Sequence, residues 1–198
     1  MSGSFEGKGV APIAEDVTMI LTRVMVAAGA AFGLDRLSKI AIVDWIGLPS
    51  AGVVDVWPPY LIFRMAWNKG INFGFFRSFD SRWALIAVAI AISLALVVWV
   101  RNERGWLRPL AVGSIVGGAL GNAVDRILYG AVADFLNMSC CGIDNPSSFN
   151  VADIFIFGGV FALVVTARRA SAAGSHAPGR STRGGRPRCT RRDGRKRS

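Results

Sequence analysis

Four stretches of this chain are too apolar and too long to be folded away inside a small soluble domain. They run from about Val17 to Leu34, Trp83 to Val100, Leu107 to Leu128 and Phe149 to Ala167. A helix crosses a bilayer core with about twenty apolar residues, in a range of about 17 to 25. Backbone polar groups in hydrocarbon must bond within their own segment, so such stretches are restricted to helices. The second, "WALIAVAIAISLALVVWV", carries no charge at all. The first holds Arg23 close enough to its start for the guanidinium to reach the interface. That first stretch begins late and has no small-x-small site behind it, so it does not read as a cleavable signal peptide. The expected fold is an all-α polytopic membrane protein with four transmembrane helices. Its membrane body covers residues 17–167, between a short N-terminal segment, 1–16, and a tail, 168–198.

Charge gives the orientation. The chain is 52% hydrophobic yet has a formal net charge of +10. From Arg168 onward there are eleven Lys/Arg and one Asp, so the tail carries all of the excess. The tail is rich in Gly, Ser, Pro and Arg, has nothing to bury, and is expected to be disordered. Arg-rich segments can bind phosphate, but this one reads as a cytoplasmic tail that fixes topology and touches anionic membrane lipid, with no nucleic acid expected. The link between the second and third stretches holds Arg101, Arg104 and Arg108. Positive-inside therefore places both termini and this link in the cytoplasm. Residues 35–82 and 129–148 then face outward. Within them, about 47–80 mixes aromatics, β-branched residues, Pro and Gly, and reads as a small extracytoplasmic β-region of strands and turns.

Polar residues gather at the outward ends of the helices. Asp35 and Lys39 stand four apart in "DRLSK". Asn122, Asp125 and Arg126 share a face of the third helix in "GGALGNAVDRI". Asp134 follows in "VADF", and Asn150 and Asp153 open the fourth helix in "FNVAD". Ionisable groups at a membrane edge are costly and face a bundle interior or a watery cavity, so this crowding at one end predicts one site. Asp125 and Arg126 read as a buried ion pair that pins the third helix, with Arg126 the better placed to reach substrate. Gly113, Gly117 and Gly121 recur every four residues, a seam for close helix packing. Trp57, Trp67 and Trp83 read as interface-belt residues.

Much chemistry is excluded. The only histidine, His176, is in the tail, so a Ser–His protease lacks its base and a HExxH metallopeptidase its ligands. Cys140, Cys141 and Cys189 have no metal-ligand spacing and no histidine to activate a thiolate, and the first two read as idle in a loop. No metal or other cofactor is expected. Two neighbouring carboxylates in low dielectric do not both ionise easily. The ionised one can activate water while the protonated one polarises a carbonyl, as in an aspartic protease. Aspartates in a membrane bundle also suit a proton relay in a small transporter, and an inactive scaffold is a third reading. A relay wants carboxylates at mid-bilayer depth, and these cluster at one end.

The motifs, in order, resemble those of lipoprotein signal peptidase, or signal peptidase II. "DRLSK" is similar to the first-helix D-x-x-x-K motif, "NKGINFGFF" to the N-x-G-x-x-F-G box of the outer β-region, and "GGALGNAVDRI" to the G-G-x-x-G-N-x-x-D-R box. "VADF" and "FNVAD" resemble the two blocks that carry the catalytic aspartates. The resemblance implies catalysis by Asp134 and Asp153. It implies substrate binding by Asn68, Gly70, Asn122, Arg126 and Asn150, with Phe73 beside the outer flap, and structural support from Asp35, Lys39 and Asp125. Asn72 stands where the family usually has a small residue, and Ala133 where a larger apolar one is common. The implied substrate is a prolipoprotein carrying a diacylglyceryl-modified cysteine, cleaved on the N-terminal side of that cysteine. The implied enzyme is a multi-pass monomer in the bacterial inner membrane, with its site toward the outer face.

Overall fold

The computed structural model describes residues 11–70, 81–103, 105–140 and 145–175. The expectations for Asn72, Phe73, Arg104, Cys141, His176, Cys189 and the tail beyond residue 175 lie outside these residues. The elements follow in order as α1 (Ala11–Lys39), a π-helical turn (Ile40–Trp45), α2 (Leu48–Ala51), β1 (Val53–Trp57), β2 (Leu61–Asn68), α3 (Ser81–Val100), α4 (Leu107–Tyr129), β3 (Val132–Met138) and α5 (Val151–Ser175). Among the described residues, four helices are long and apolar enough to cross a membrane: Val17–Trp45, Ser81–Val100, Leu107–Tyr129 and Val151–Arg168. The first is longer than the sequence reading, because nothing in "LDRLSKIAIVDW" breaks it. The stretch 168–175, assigned above to the tail, continues α5 as helix.

Helix α4 is central. Half of its span is buried, against 22% or less for each of the others. It packs on α1, α5 and α3. Its glycines make this possible. A Cβ at Gly113 would stand 2.4 Å from the Val24 carbonyl oxygen, and one at Gly117 would stand 2.3 Å from that of Ala28. On another face, a Cβ at Gly118 would stand 2.5 Å from the Ala152 carbonyl oxygen of α5. Hydrocarbon gives no hydrophobic drive between helices, so backbone-to-backbone approach of this kind supplies the packing. The large apolar side chains of α3 and α5, such as Ile92, Leu94, Phe157 and Phe161, point outward, as helices facing lipid require.

At one end of the bundle stands a three-stranded antiparallel sheet in the order β1-β2-β3. The sequence reading placed strands only in the first outward segment. The third comes from the link between α4 and α5, and it carries Asp134. Asp134 pairs with Ala66 and Leu61 with Met138, across a register shift between Phe63 and Ala66. Phe135, Ile42 and Leu48 form the core beneath the sheet, with the Phe63 ring edge-on to Phe135 at 6.1 Å. Beyond β3, Phe149 exchanges backbone hydrogen bonds with Leu136 at 2.8 and 2.9 Å. This pins the residue just before Asn150 to the strand just after Asp134. Cys140, at the end of this region, is disulfide-bonded and so not the idle thiol read from the sequence.

The α1–α4 seam yields a paired prediction. Gly117→Ala forces a methyl group into the Ala28 backbone and is expected to cost about 1–3 kcal/mol, as overpacking does. Gly33→Ala, with nothing within 4 Å of its Cβ, is expected to leave stability unchanged or raise it slightly, since Ala is the better helix former. Thermal unfolding in detergent measures both. Equal melting temperatures for the two variants would contradict the close seam.

Candidate active site

Three segments meet where the sheet joins the bundle: the end of α1, the last turns of α4 and the start of α5. The start of α5 shows why. A helix begins with four backbone N–H groups that have no partner within the helix. Here the Asn150 side chain accepts from the Asp153 N–H at 3.1 Å, and Asp153 Oδ2 accepts from the Asn150 N–H at 3.2 Å. This is the reciprocal pattern of a capping box. The N–H of Ala152 donates to Asp35 Oδ1 at 3.0 Å. A carboxylate from α1 therefore caps α5 across the bundle.

Asp35 is held by a cluster of four charges. Lys39 Nζ lies 2.9 Å from Asp35 Oδ2 and 2.6 Å from Asp125 Oδ2. Arg36 pairs with Asp125 and also reaches Asp35 at 3.3 Å. Asp125 Oδ2 further accepts from the Ala133 N–H at 3.2 Å, which ties it to β3. Asp35, Lys39 and Asp125 are all buried, and two acids against two bases leave the cluster neutral. Opposite charges in contact are the condition under which buried charge is tolerated. Gly121 makes room for it: a Cβ there would stand 2.5 Å from Asp35 Oδ2.

The expected Asp125–Arg126 pair is therefore corrected. Asp125 turns toward α1 and pairs with Arg36 and Lys39, because successive side chains on a helix point about 100° apart. Arg126 turns the other way. Its Nη1 donates to the Asn122 carbonyl at 3.1 Å, and its buried Nε has no hydrogen-bond partner in the structure. It sits within the field of Asp134, Asp125 and Asp153.

Above this cluster, two amides bridge the two remaining aspartates. Asn150 Nδ2 donates to Asp134 Oδ1 at 2.6 Å and to Asn122 Oδ1 at 3.1 Å. Asn122 Nδ2 donates to Asp153 Oδ1 at 3.0 Å. Asp134 Oδ2 accepts from Asn68 Nδ2 at 3.1 Å, and Asn68 Oδ1 accepts from the Gly70 N–H at 2.9 Å. Gly70 has φ +83°, in the left-handed region, and a side chain there would strike Leu85. It reaches Asp134 only through Asn68.

The two aspartates sit in different surroundings. Asp134 is 3% exposed, while Asp153 is half-buried at the positive end of α5. Burial, and then the charge of Asp153, push the Asp134 carboxyl up to about 6, against the pull of Asn150, Asn68 and Lys39 toward the ionised form. Such a pair can hold one proton between them near neutral pH. Among the described residues, no three His, Cys, Asp or Glu side chains are grouped to hold a metal.

The structure thus brings Asp134, Asp153, Asn68, Asn122, Arg126 and Asn150 to one place, with Asp35, Lys39 and Asp125 directly beneath. Two residues were missed by the sequence reading. Arg36 was passed over inside "DRLSK", although a third charge at a helix end should have raised the same question as its neighbours. Asn137, 1% exposed, donates to the carbonyls of Asn145 at 2.8 Å and Ser147 at 3.0 Å and so shapes the loop leading to Asn150. No local signal marks it.

Comparison with known proteins agrees with this picture. Residues 27–169 match the family model for signal peptidase (SPase) II. A lipoprotein signal peptidase of Methylorubrum extorquens (strain PA1) is 38% identical over 150 residues, covering 73% of this chain and 85% of the relative. One from Rhodopseudomonas palustris (strain ATCC BAA-98 / CGA009) is 38% identical over 152 residues, covering 74% and 92%. A solved bacterial membrane enzyme, determined by the in meso method, superposes with a TM-score of 0.61 at 25% identity, covering 72% of this chain and 90% of that one.

The charge cluster makes a prediction about stability. Lys39→Met keeps the length of the side chain and leaves two buried carboxylates short of a cation. Breaking a buried pair in this way costs about 3–5 kcal/mol, so the variant should melt well below the wild type. Arg126→Lys, outside the cluster, should melt within a few degrees of it. Thermal unfolding followed by tryptophan fluorescence in detergent compares them, and a wild-type-like Lys39→Met would remove the cluster from its supporting role.

Proposed function

The chain belongs to the signal peptidase II family, and we propose that Asp134 and Asp153 are its catalytic dyad. The protein is an aspartic endopeptidase of the membrane that removes signal peptides from prolipoproteins. The observation that carries the dyad is the amide bridge Asp134–Asn150–Asn122–Asp153, which links the two carboxylates through two side-chain amides.

The roles follow from the surroundings. Asp153 accepts from the Asn150 N–H and the Asn122 amide at the start of α5 and is assigned the role of base. It takes a proton from water as the hydroxyl adds to the scissile carbonyl carbon. Asp134, protonated, gives its proton to the carbonyl oxygen. Asp153 then passes its proton to the leaving amine while Asp134 recovers one from the collapsing diol, and the C–N bond breaks. Substrate excludes water and raises the Asp134 affinity for its proton further. Arg126, with its unused buried Nε, donates to a substrate carbonyl, a task suited to a planar fork. Asn68, held by the Gly70 N–H, donates to Asp134 and stands ready to meet the substrate backbone.

The scissile bond lies on the N-terminal side of the diacylglyceryl-modified cysteine, whose acyl chains remain in the bilayer. Positive-inside supports cytoplasmic termini and a site toward the outer face of the bacterial inner membrane. The body 17–167 works as a monomer, and the basic tail stands apart from catalysis.

Asp134→Asn and Asp153→Asn should each abolish cleavage of lipidated prolipoprotein in detergent while the protein stays folded, because an amide fills the space but exchanges no proton. Turnover like that of wild type in either variant would refute the dyad. A second test uses pH. The Asn68 amide favours the ionised Asp134, so Asn68→Ala raises the carboxyl above its present value of about 6. Activity that depends on protonated Asp134 is lost as pH rises, so the alkaline limb of kcat/KM should move to higher pH in Asn68→Ala. A limb that stays put or moves down would contradict the assignment of the proton.

A further inference from the structure

A second concavity lies at the end of the bundle opposite the dyad. It has a volume of about 330 Å³ and is lined by Gly105, Trp106, Leu107, Arg108 and Thr166. That is the lower end of the range for pockets that hold small ligands, about 300–1,000 Å³. Nothing in the peptidase chemistry uses it. Four helices contribute to its frame: the α3–α4 turn and the start of α4 form one wall, α5 supplies Thr166, and α1 braces the turn through Arg23, whose Nη1 donates to the Gly105 carbonyl at 2.9 Å.

The surroundings are cationic and interfacial. Arg108 lines the pocket and is half-buried, held by Glu103 from the turn. Arg101 and Arg168 are exposed at the same end of the bundle. Among the described residues at this end, Glu103 is the acid paired with Arg108. Trp106 is 59% exposed at the rim, and Leu107 40% exposed beside it. An exposed indole next to basic side chains at a helix end is the arrangement found at the headgroup level of a bilayer. The cluster lies on the side that positive-inside assigns to the anionic leaflet.

We propose that this pocket binds the phosphate headgroup of an anionic phospholipid, with Arg108 on the phosphate, Arg23 bracing the Gly105 carbonyl beside it, and Trp106 and Leu107 against the first acyl carbons. An arginine pairs with a phosphate through parallel N–H donors, and the phosphate competes with Glu103 for Arg108. The apolar rim is what selects a lipid over free phosphate. Occupancy would clamp the α3–α4 turn to α1 and α5, at the far end from catalysis.

The test uses the full-length protein in detergent, titrated with short-chain phosphatidylglycerol, short-chain phosphatidylcholine or inorganic phosphate, with binding read from Trp fluorescence and thermal shift. Phosphatidylglycerol should bind more tightly than phosphatidylcholine. R108Q should weaken phosphatidylglycerol by about fivefold, the effect of one basic residue near an anionic surface. R23Q, which removes the brace on Gly105, and R101Q, whose side chain does not line the pocket, should each weaken it by less. The tail is identical in all three, so its own attraction for lipid cancels. The rate of prolipoprotein cleavage at saturating substrate should stay at the wild-type level in R108Q, which shows that the variant is folded. Equal phosphatidylglycerol affinity in wild type, R108Q and R23Q would overturn the site. An equal response to inorganic phosphate would overturn the lipid assignment.

Discussion

The hydrogen bond from the Ala152 N–H to Asp35 Oδ1 is the contact on which the site depends. It joins the first and last helices of the bundle, far apart in sequence, at the level where the dyad must be assembled. A carboxylate can serve there only if its charge is met. Lys39 and Arg36 meet it, and in doing so they bring in Asp125, which fixes α4 and reaches β3 through the Ala133 N–H. One neutral cluster thus sets the positions of α1, α4, α5 and β3 together. Gly121 is small because the Asp35 carboxylate needs the space.

The two aspartates of the proposed dyad stand in different surroundings within this frame. Asp153 is the third helical residue of α5, and its carboxylate completes a cap. The Asn122 amide also donates to it. Asp134 comes from a strand, buried on both faces, and has no helix end to stabilise it. The same amide, that of Asn150, touches both sides of the pair. Burial and the charge of Asp153 raise the Asp134 carboxyl, the direction that the acid of the proposed pair requires.

Much of this was legible in the sequence, for a physical reason. Hydrocarbon demands long apolar helices, so the four spans show in hydropathy alone. It also makes charge costly, so Asp35, Lys39, Asn122, Asp125, Arg126, Asn150 and Asp153 stand out against their surroundings. What the sequence could not supply was direction. Asp125 and Arg126 are neighbours in the chain, and a pair between them was the simplest reading, yet the helix turns them apart toward different partners. The strand that carries Asp134 was missed because "VADFLNM" is short and its partner β2 is distant in sequence, beyond the whole of α3 and α4, with no periodicity long enough to announce it. Arg36 and Asn137 act through contacts that only the fold creates.

The central claim is that Asp134 and Asp153 share a single proton, held by Asp134. Infrared difference spectroscopy of the purified protein, titrated across neutral pH, observes the carbonyl stretch of a protonated carboxyl directly. One buried carboxylic acid should be present in the wild type at mildly acidic pH and should ionise with an apparent pKa of about 6. That band should be missing in Asp134→Asn. A wild-type spectrum with no such band, or a band that survives in Asp134→Asn, would contradict the account.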